Sequence, residues 1–404
     1  MAVVEGDVRL IKGDAEEALD RGIPISEGDV LESHGRGVLQ LGDGTRLAFA
    51  GSTRFQVAAL FADRQGTREA LLRLDYGRIR IASGDQSDAR IRVDTPAGTA
   101  TLNAGATMTC DVDGDRAVRV QVNSGRIVFS NAADRATILA GERLTVYSTQ
   151  DRLDRVREFN TYDRDAFDSW SDHYLVARHR QSWDRVPSEI RYYSDDLDDN
   201  GEWIQVEDVG WCWRPRGVAA DWRPYWRGRW GCYPGGMTWV SDEPWGYVTY
   251  HHGRWGWGAG LGWYWIPGVF YSPAWVAWHS TDAYFGWAPL GYYNAPCSWG
   301  YGAWGGGYCW NVVNITFINA PHIHTRIYAD INVIRPFGHG TAATTWGGGN
   351  RPLTPPWQRG PLFVRTAEFR HPDPAQFQHV LQRDVARERM QVYERQAATS
   401  GRTI

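Results

Sequence analysis

Lysine is all but missing from these 404 residues: Lys12 is the only one among 43 basic side chains, and the rest are arginine. A basic excess is missing too. Forty-seven acidic residues set the net charge at -4, which argues against a general nucleic-acid binder, because neutralising phosphates requires surplus positive charge. No run approaches the roughly 18 unbroken apolar residues of a membrane span. No charged-then-apolar leader precedes Val3, so the chain as given reads as soluble, with neither a signal peptide nor a membrane span. Met1 runs straight into strand-like sequence, which suits either a cytosolic protein or a mature exported chain restarted with Met. The five cysteines contain no Cys-x-x-Cys pair, so a zinc knuckle or redox dithiol is unsupported. There is no Ser-His-Asp order, nucleophile elbow, phosphate loop or dinucleotide fingerprint, and no reason to pair two carboxylates for glycoside cleavage.

What is present is a globular composition, 43% hydrophobic and 22% charged, which excludes a largely disordered chain and a coiled coil. At roughly 150 residues per domain the length allows two to three domains. The 22 Trp are unevenly spread, with 18 of them between Trp203 and Trp310, so the chain is built of unlike parts.

The first part, 1–150, shows short β-type runs at 7–11, 38–41, 45–50, 71–74, 78–82 and 89–93, and no helical period. Leu41-Gly42-Asp43-Gly44-Thr45 reads as a hairpin turn, as does Asn123-Ser124-Gly125 between runs at 118–122 and 126–129. An all-β sandwich or rolled sheet is expected. Across 151–189 the pattern changes: Phe167, Trp170, Tyr174 and Arg178 keep helical spacing, with acids early and bases late. One linking helix over 161–186, ended by Pro187, should pack its aromatic stripe on a neighbouring domain.

Over 190–337 a unit repeats. Gly201-Glu202-Trp203, Gly228-Arg229-Trp230 and Gly253-Arg254-Trp255 are each followed nine or ten residues later by Trp213, Trp239 or Trp265. Three hairpin-sized copies, closed by a variant from Pro273-Ala274-Trp275 to Gly286-Trp287-Ala288-Pro289, explain the spacing. Alternation puts the rings on one sheet face, and only stacked copies can bury them, as a Trp-walled β core. Residues 312–318 and 323–334 look like strands. A Gly/Pro-rich linker at 338–372 leads to a C-terminal amphipathic helix, 373–404, striped by Phe377, Val380, Leu381, Val385 and Val392.

Val4-Glu5-Gly6-Asp7-Val8, Ile25-Ser26-Glu27-Gly28-Asp29-Val30-Leu31, Thr95-Pro96-Ala97-Gly98-Thr99-Ala100 and Val122-Asn123-Ser124-Gly125-Arg126-Ile127-Val128 together resemble the FecR-type domain over residues 3–147. The Trp repeat, with its Trp-Ile-Pro and Gly-Trp-Ala-Pro endings, resembles over 190–292 a Trp-rich family of unknown function found downstream of FecR domains in exported bacterial proteins. The resemblance implies a mainly β, extracytoplasmic protein of the periplasm, outer envelope or exterior.

Four kinds of site stand out. In an oxidising compartment Cys212 could bridge Cys232 and Cys297 could bridge Cys309, leaving Cys110 over; the alternative is five buried thiols. Asp196, Asp198, Asn200 and Glu207 fit the oxygen spacing of a calcium loop, though a solvated acidic turn explains them as well. His322 and His324, two apart on an expected strand, would point the same way, whereas His251 and His252 would face opposite sides. Trp222, Trp226, Trp245, Tyr250 and Trp278 are candidates for an aromatic ligand surface that stacks on sugars.

These features point to a non-enzymatic exported scaffold without a cofactor, Ca2+ aside, that binds other protein subunits or itself. The alternatives are a carbohydrate or peptidoglycan-binding module and an accessory subunit of a redox or regulatory envelope complex.

Overall fold

The computed structural model describes residues 1–334 apart from 13–14, 42–43, 63–67, 85–88, 115–116, 148–151, 177–178, 234–235, 281–282, 293–295, 298–308 and 331. Two compact units divide the chain, Met1–Arg178 and His179–Ile404. Both are mainly β. The expected linker 338–372 and terminal helix 373–404 lie outside the described residues.

A single hydrogen-bonded sheet of 15 strands makes the first unit. Its spine is an antiparallel pair of long strands, Arg46–Ala62 and Arg68–Ala82. The expected runs at 71–74 and 78–82 are one strand. Alternating residues Phe49, Phe55, Leu72, Leu74, Ile79 and Ile81 are fully buried, as period-two patterning requires when one face is covered. Register shifts at Ala50/Arg54 and Val57/Ala59 bend the pair, so that one continuous sheet rolls over its own apolar face.

The turn at Asn123-Ser124-Gly125 differs from expectation. Ala117–Ser124 pairs with Thr107–Val112 and Glu142–Tyr147, while Arg126–Ser130 departs to pair with Gly98–Leu102 and Arg135–Leu139. Gly125 turns the chain in the left-handed region, φ 72°, where a Cβ would sit 3.0 Å from the Ala106 Cα. The turn residues are right for a reversal, but the strand edges available elsewhere decide the partners.

The helix is shorter than its expected range. Ala166–Leu175 begins at a capping box in which Asp165 and Asp168 each accept the other's backbone N–H, and it stops where Val176 turns extended. Beyond it lies a 3-10 helix, Ser188–Tyr193. The aromatic stripe docks on its own unit, not on a neighbouring one. The Trp170 indole donates to Glu5 at 3.2 Å, Arg36 lies 4.9 Å over the Trp170 ring, and Arg78 lies 4.9 Å over Phe167. Arg80 anchors the other side, donating to Asp172 at 2.7 Å and to the Ser171 hydroxyl at 2.9 Å. The reason is charge: Asp165, Asp168 and Asp172 recur at helical spacing and meet Arg78 and Arg80 on the long strand.

In the second unit the repeat is four antiparallel hairpins, with Gly201–Val206 and Gly210–Pro215 first, Gly228–Tyr233 and Gly236–Ser241 second, His252–Gly258 and Gly262–Tyr271 third, and Val276–Ser280 and Tyr284–Pro289 fourth. In each one two Trp face one another in register: Trp203 and Trp213, Trp230 and Trp239, Trp255 and Trp265, Trp278 and Trp287. The nine-to-ten-residue spacing is therefore the length of one strand, its turn and the return to the opposite position.

The leading Gly has a physical cause. It lies two residues before the first Trp, on the same face, and the second Trp lays its ring over it. A Cβ on Gly201 would be 2.2 Å from Trp213, on Gly228 2.8 Å from Trp239, and on Gly253 2.8 Å from Trp265.

Copies do not stack in sequence order. The first and third hairpins share a four-stranded sheet, joined where Trp213 pairs with Trp265, so Trp203, Trp213, Trp265 and Trp255 form one row across four strands. The second and fourth meet ring against ring, Trp230 lying 4.4 Å from Trp278 and 5.7 Å from Trp287. Tyr225 and Tyr250, 4.5 Å apart, sit between the two quartets, in contact with Trp239 on one side and, through Tyr250, with Trp255 on the other. The fourth hairpin gains a third strand, Asn311–Asn314. Residues 315–317 then turn into a 3-10 helix, and another 3-10 helix, Ile323–Arg326, stands where a strand is expected.

Candidate functional site

The five residues expected to form an aromatic ligand surface do not form one. Trp222, Trp245, Tyr250 and Trp278 are buried, and Trp226 is half-buried beside Arg223. Trp245 packs on Trp213 at 5.7 Å and Trp278 on Trp230. The alternation that puts rings on one face also lets the facing hairpins enclose them, so rings counted as platform belong to the core.

Trp222 and Tyr250 are nonetheless brought together by a residue with no sequence signal, Glu243. Its carboxylate accepts the Trp222 indole N–H at 2.6 Å and the Tyr250 hydroxyl, and its own N–H donates to the Ser241 hydroxyl at 3.0 Å. Tyr225 extends the network. Its hydroxyl donates to the Tyr250 carbonyl at 2.9 Å and accepts the Trp275 N–H at 3.0 Å, while its carbonyl accepts the Trp287 indole at 2.9 Å and the Asn311 amide at 3.2 Å. Those four bonds hold Tyr225 at φ 59°, a conformation costing a non-glycine residue about 1–3 kcal/mol.

Two arginines lie nearby, Arg254 buried and Arg223 half-buried. Arg254 lies 3.4 Å over the Trp275 ring and donates to the Gly253 carbonyl at 2.9 Å; Arg223 donates to the Asn311 side chain at 2.7 Å. Burial lowers their pKa values to about 9 and about 10. Burial also raises Glu243 to about 7, against the opposing pull of its Tyr250 and Trp222 hydrogen bonds. His251 and His252 are pushed down by burial, to about 4 and about 3. His251 keeps a contact to the Ser272 carbonyl at 3.0 Å, while neither nitrogen of His252 has a hydrogen-bond partner of normal geometry among the described residues. Val269 backbone lies close enough to act on the ring without satisfying it.

Of this network's proton-holding and charged groups Glu243 is 6% exposed, Arg254 8% and Tyr250 0%, while Arg223 is half-buried. A reactant would have to unpack the Trp quartets to reach it. Its chemistry is that of a core in which the Glu243, Tyr250 and Tyr225 hydrogen bonds fix the hairpins in one arrangement.

The protonation states make stability depend on pH. Unfolded histidines bind protons below 6.5 while the folded pair does not until about 4 and about 3, so stability falls as pH drops from 6.5 to 4. Glu243 acts oppositely: it is protonated in the fold up to about 7 but only up to 4.5 when unfolded, so its share falls as pH rises between those values. Over pH 4.5–6.5, two histidines against one carboxyl leave one net proton, or about 1.4 kcal/mol per pH unit. Urea midpoints should therefore drop on acidification through this window, and Glu243→Gln should steepen the drop about twofold. A flat profile would contradict the buried, neutral histidines.

The acidic stretch forms a short helix, Asp195–Asn200, rather than a calcium loop. Asp198 accepts the Ser182 hydroxyl at 2.6 Å and faces Arg180, and the Asn200 amide donates to the Asp196 carbonyl at 2.7 Å. The strand Gly201–Val206 then carries Glu207 away from Asp196 and Asp198, by roughly 3.3 Å per residue. Among the described residues no group of three or more His, Cys, Asp or Glu is placed to hold a metal. The His322 Nδ1–H donates to the Asp242 carboxylate at 3.0 Å, and its ring stands 6.2 Å from that of His324.

Neither expected disulfide forms. Cys212, Cys297, Cys309 and Cys110 are buried and in no disulfide, and the Cys232 side chain lies outside the described residues. Cys212, between Trp211 and Trp213, points to the face of the first hairpin opposite those rings, and Cys297 donates to the Trp255 carbonyl at 3.4 Å. Burial raises both thiols to about 12, the behaviour of inert core cysteines.

No helix among the described residues is long and apolar enough to cross a membrane. Among curated proteins, none matches this sequence. A candidate anti-sigma factor from Parabacteroides distasonis ATCC 8503, solved at 1.65 Å and again at 2.50 Å, is similar over 32% of this chain, at 15% and 14% identity and a TM-score of 0.28 in each case. This chain spans 58% of that protein's length. Residues 30–136 match the model of the FecR protein family, and residues 194–294, the first three hairpins and the fourth to its end, match that of a family of unknown function, DUF6600. Residues 30–136 of the first unit's sheet therefore match the FecR family, and the interleaved Trp hairpins that follow, within 194–294, match DUF6600.

Proposed function

We infer that this chain is a non-enzymatic, extracytoplasmic scaffold that binds other protein subunits. What supports the reading is where the aromatic residues go: both Trp quartets and the Glu243–Tyr250–Tyr225 network are consumed in holding four hairpins together. A site built for turnover keeps its titratable groups within reach of a reactant, and here they are walled in. Native mass spectrometry of the protein purified gently from its own cells should find it in an assembly heavier than the monomer. A lone monomer with no companion protein would overturn the reading. A carbohydrate-binding role loses four of its five expected residues to the core, and one exposed indole elsewhere, Trp211, keeps it in view.

A further inference from the structure

The repeat supplies its own standard of comparison. Two residues before the second Trp of each hairpin stands a large apolar side chain: Trp211, Met237, Trp263 and Phe285 in order. In the last three copies it is buried, at 7%, 8% and 0% exposure, whereas Trp211 is 43% exposed. The first hairpin thus leaves open a position that the other three fill from within the fold.

The surroundings of Trp211 are specific. The Arg185 guanidinium lies over the Trp211 ring, 4.4 Å from its centroid, and over the Trp203 ring at 5.9 Å. Among the described residues its guanidinium makes one hydrogen bond, from Nη1 to the Gln181 carbonyl at 2.8 Å, and no carboxylate pairs with it. That distinguishes it from Arg180, which meets Asp199 at 2.7 Å, and from Arg214, which is held by Glu202. Gln205, exposed, is the direct cross-strand partner of Trp211, so its amide rises on the same face beside the indole.

We propose that Trp211, Gln205 and Arg185 form a binding site for a carboxylated sugar residue of an acidic polysaccharide. The pyranose packs on the exposed part of the indole that Arg185 leaves uncovered, the Gln205 amide, donor and acceptor at once, takes ring hydroxyls, and the neighbouring Arg185 guanidinium takes the carboxylate. A single exposed indole with an amide beside it and a cation over part of its face matches one sugar unit. An acidic peptide would draw on the charge of Arg185 but leave the indole face without a planar partner. The site is separate from the scaffold reading, and neither depends on the other.

Calorimetric titration of the full chain tests it with three probes: oligogalacturonate, the same oligosaccharide as its methyl ester, and an oligoglutamate peptide. The acid form should bind at least about tenfold more tightly than the ester, because only it pairs with Arg185. Trp211→Ala should weaken oligogalacturonate at least about tenfold, with circular dichroism unchanged because the ring is outside the core. Arg185→Gln should bring acid and ester to the same affinity. Equal binding of acid and ester by the native protein, indifference to Trp211→Ala, oligoglutamate binding as tightly as the sugar acid, or no binding at millimolar concentration would each overturn the proposal.

Discussion

Trp213→Ala should cost the second unit about 3–5 kcal/mol, the range for emptying a buried aromatic site. Trp213 is fully buried and lies in the four-indole row, opposite Trp203 on one side and Trp265 on the other. Its indole donates to the Leu197 carbonyl at 2.8 Å, so truncation also orphans a buried acceptor. Little of the space can be refilled, because Trp245 and Gly201 press on the ring from a strand and a loop that are themselves fixed. With a typical domain stability of about 5–15 kcal/mol, such a loss takes about a fifth of the total or more. Urea unfolding followed by far-ultraviolet circular dichroism measures it, and Trp211→Ala serves as the internal comparison, at under about 1 kcal/mol. If the two variants lost the same amount, the row would not be the source of cohesion.

Gly253→Ala, a single added methyl, should be nearly as severe. Gly253 has φ 88°, and its Cβ would meet the Ile266 carbonyl oxygen at 2.1 Å, the Trp265 Nε1 at 2.8 Å and the Gly268 nitrogen at 3.0 Å. The backbone conformation alone costs about 1–2 kcal/mol for an L residue. The collision adds to this, since the obstructing atoms are backbone and a ring tied by its own hydrogen bond to the His252 carbonyl at 2.6 Å. We expect a total of about 3 kcal/mol or more. Gly260→Ala separates the two contributions, because Gly260 has a similar φ of 77° with nothing within 4 Å of its Cβ. Thermal unfolding of the pair should show Gly253→Ala well below Gly260→Ala; equal shifts would mean that ring contact has no part in choosing glycine.

Much of the hairpin architecture is legible because its cause is local. Gly-x-Trp followed by Trp nine or ten residues on records a face shared by Gly and Trp and a partner directly opposite, both consequences of strand geometry. The fourth copy, with Val276 where the others have Gly, is marked by its Gly286-Trp287-Ala288-Pro289 ending, but its first paired Trp is Trp278 and not the expected Trp275. What depends on distant partners is not legible. Nothing around Asn123-Ser124-Gly125 tells that Arg126–Ser130 will find its edge at Gly98–Leu102. Glu243 has the local setting of a surface acid, Ser241-Asp242-Glu243-Pro244, and becomes a core residue only because Trp222 and Tyr250 arrive with donors. Trp222, Trp245, Tyr250 and Trp278 look like a platform for the converse reason: composition counts rings but not which hairpin will cover them.

The alternating partnership of the hairpins bears on how the chain is made. During synthesis the first hairpin emerges with one rim of its sheet unpaired, and the second cannot complete that rim because its own rings belong with the fourth. The rim closes only after Gly262–Tyr271 leaves the ribosome, and the second hairpin waits longer, for Tyr284–Pro289. Folding of this half is therefore deferred to its last segment, and a nascent chain halted between the second and third copies would carry two bare sets of indoles, a state calling for a chaperone's protection.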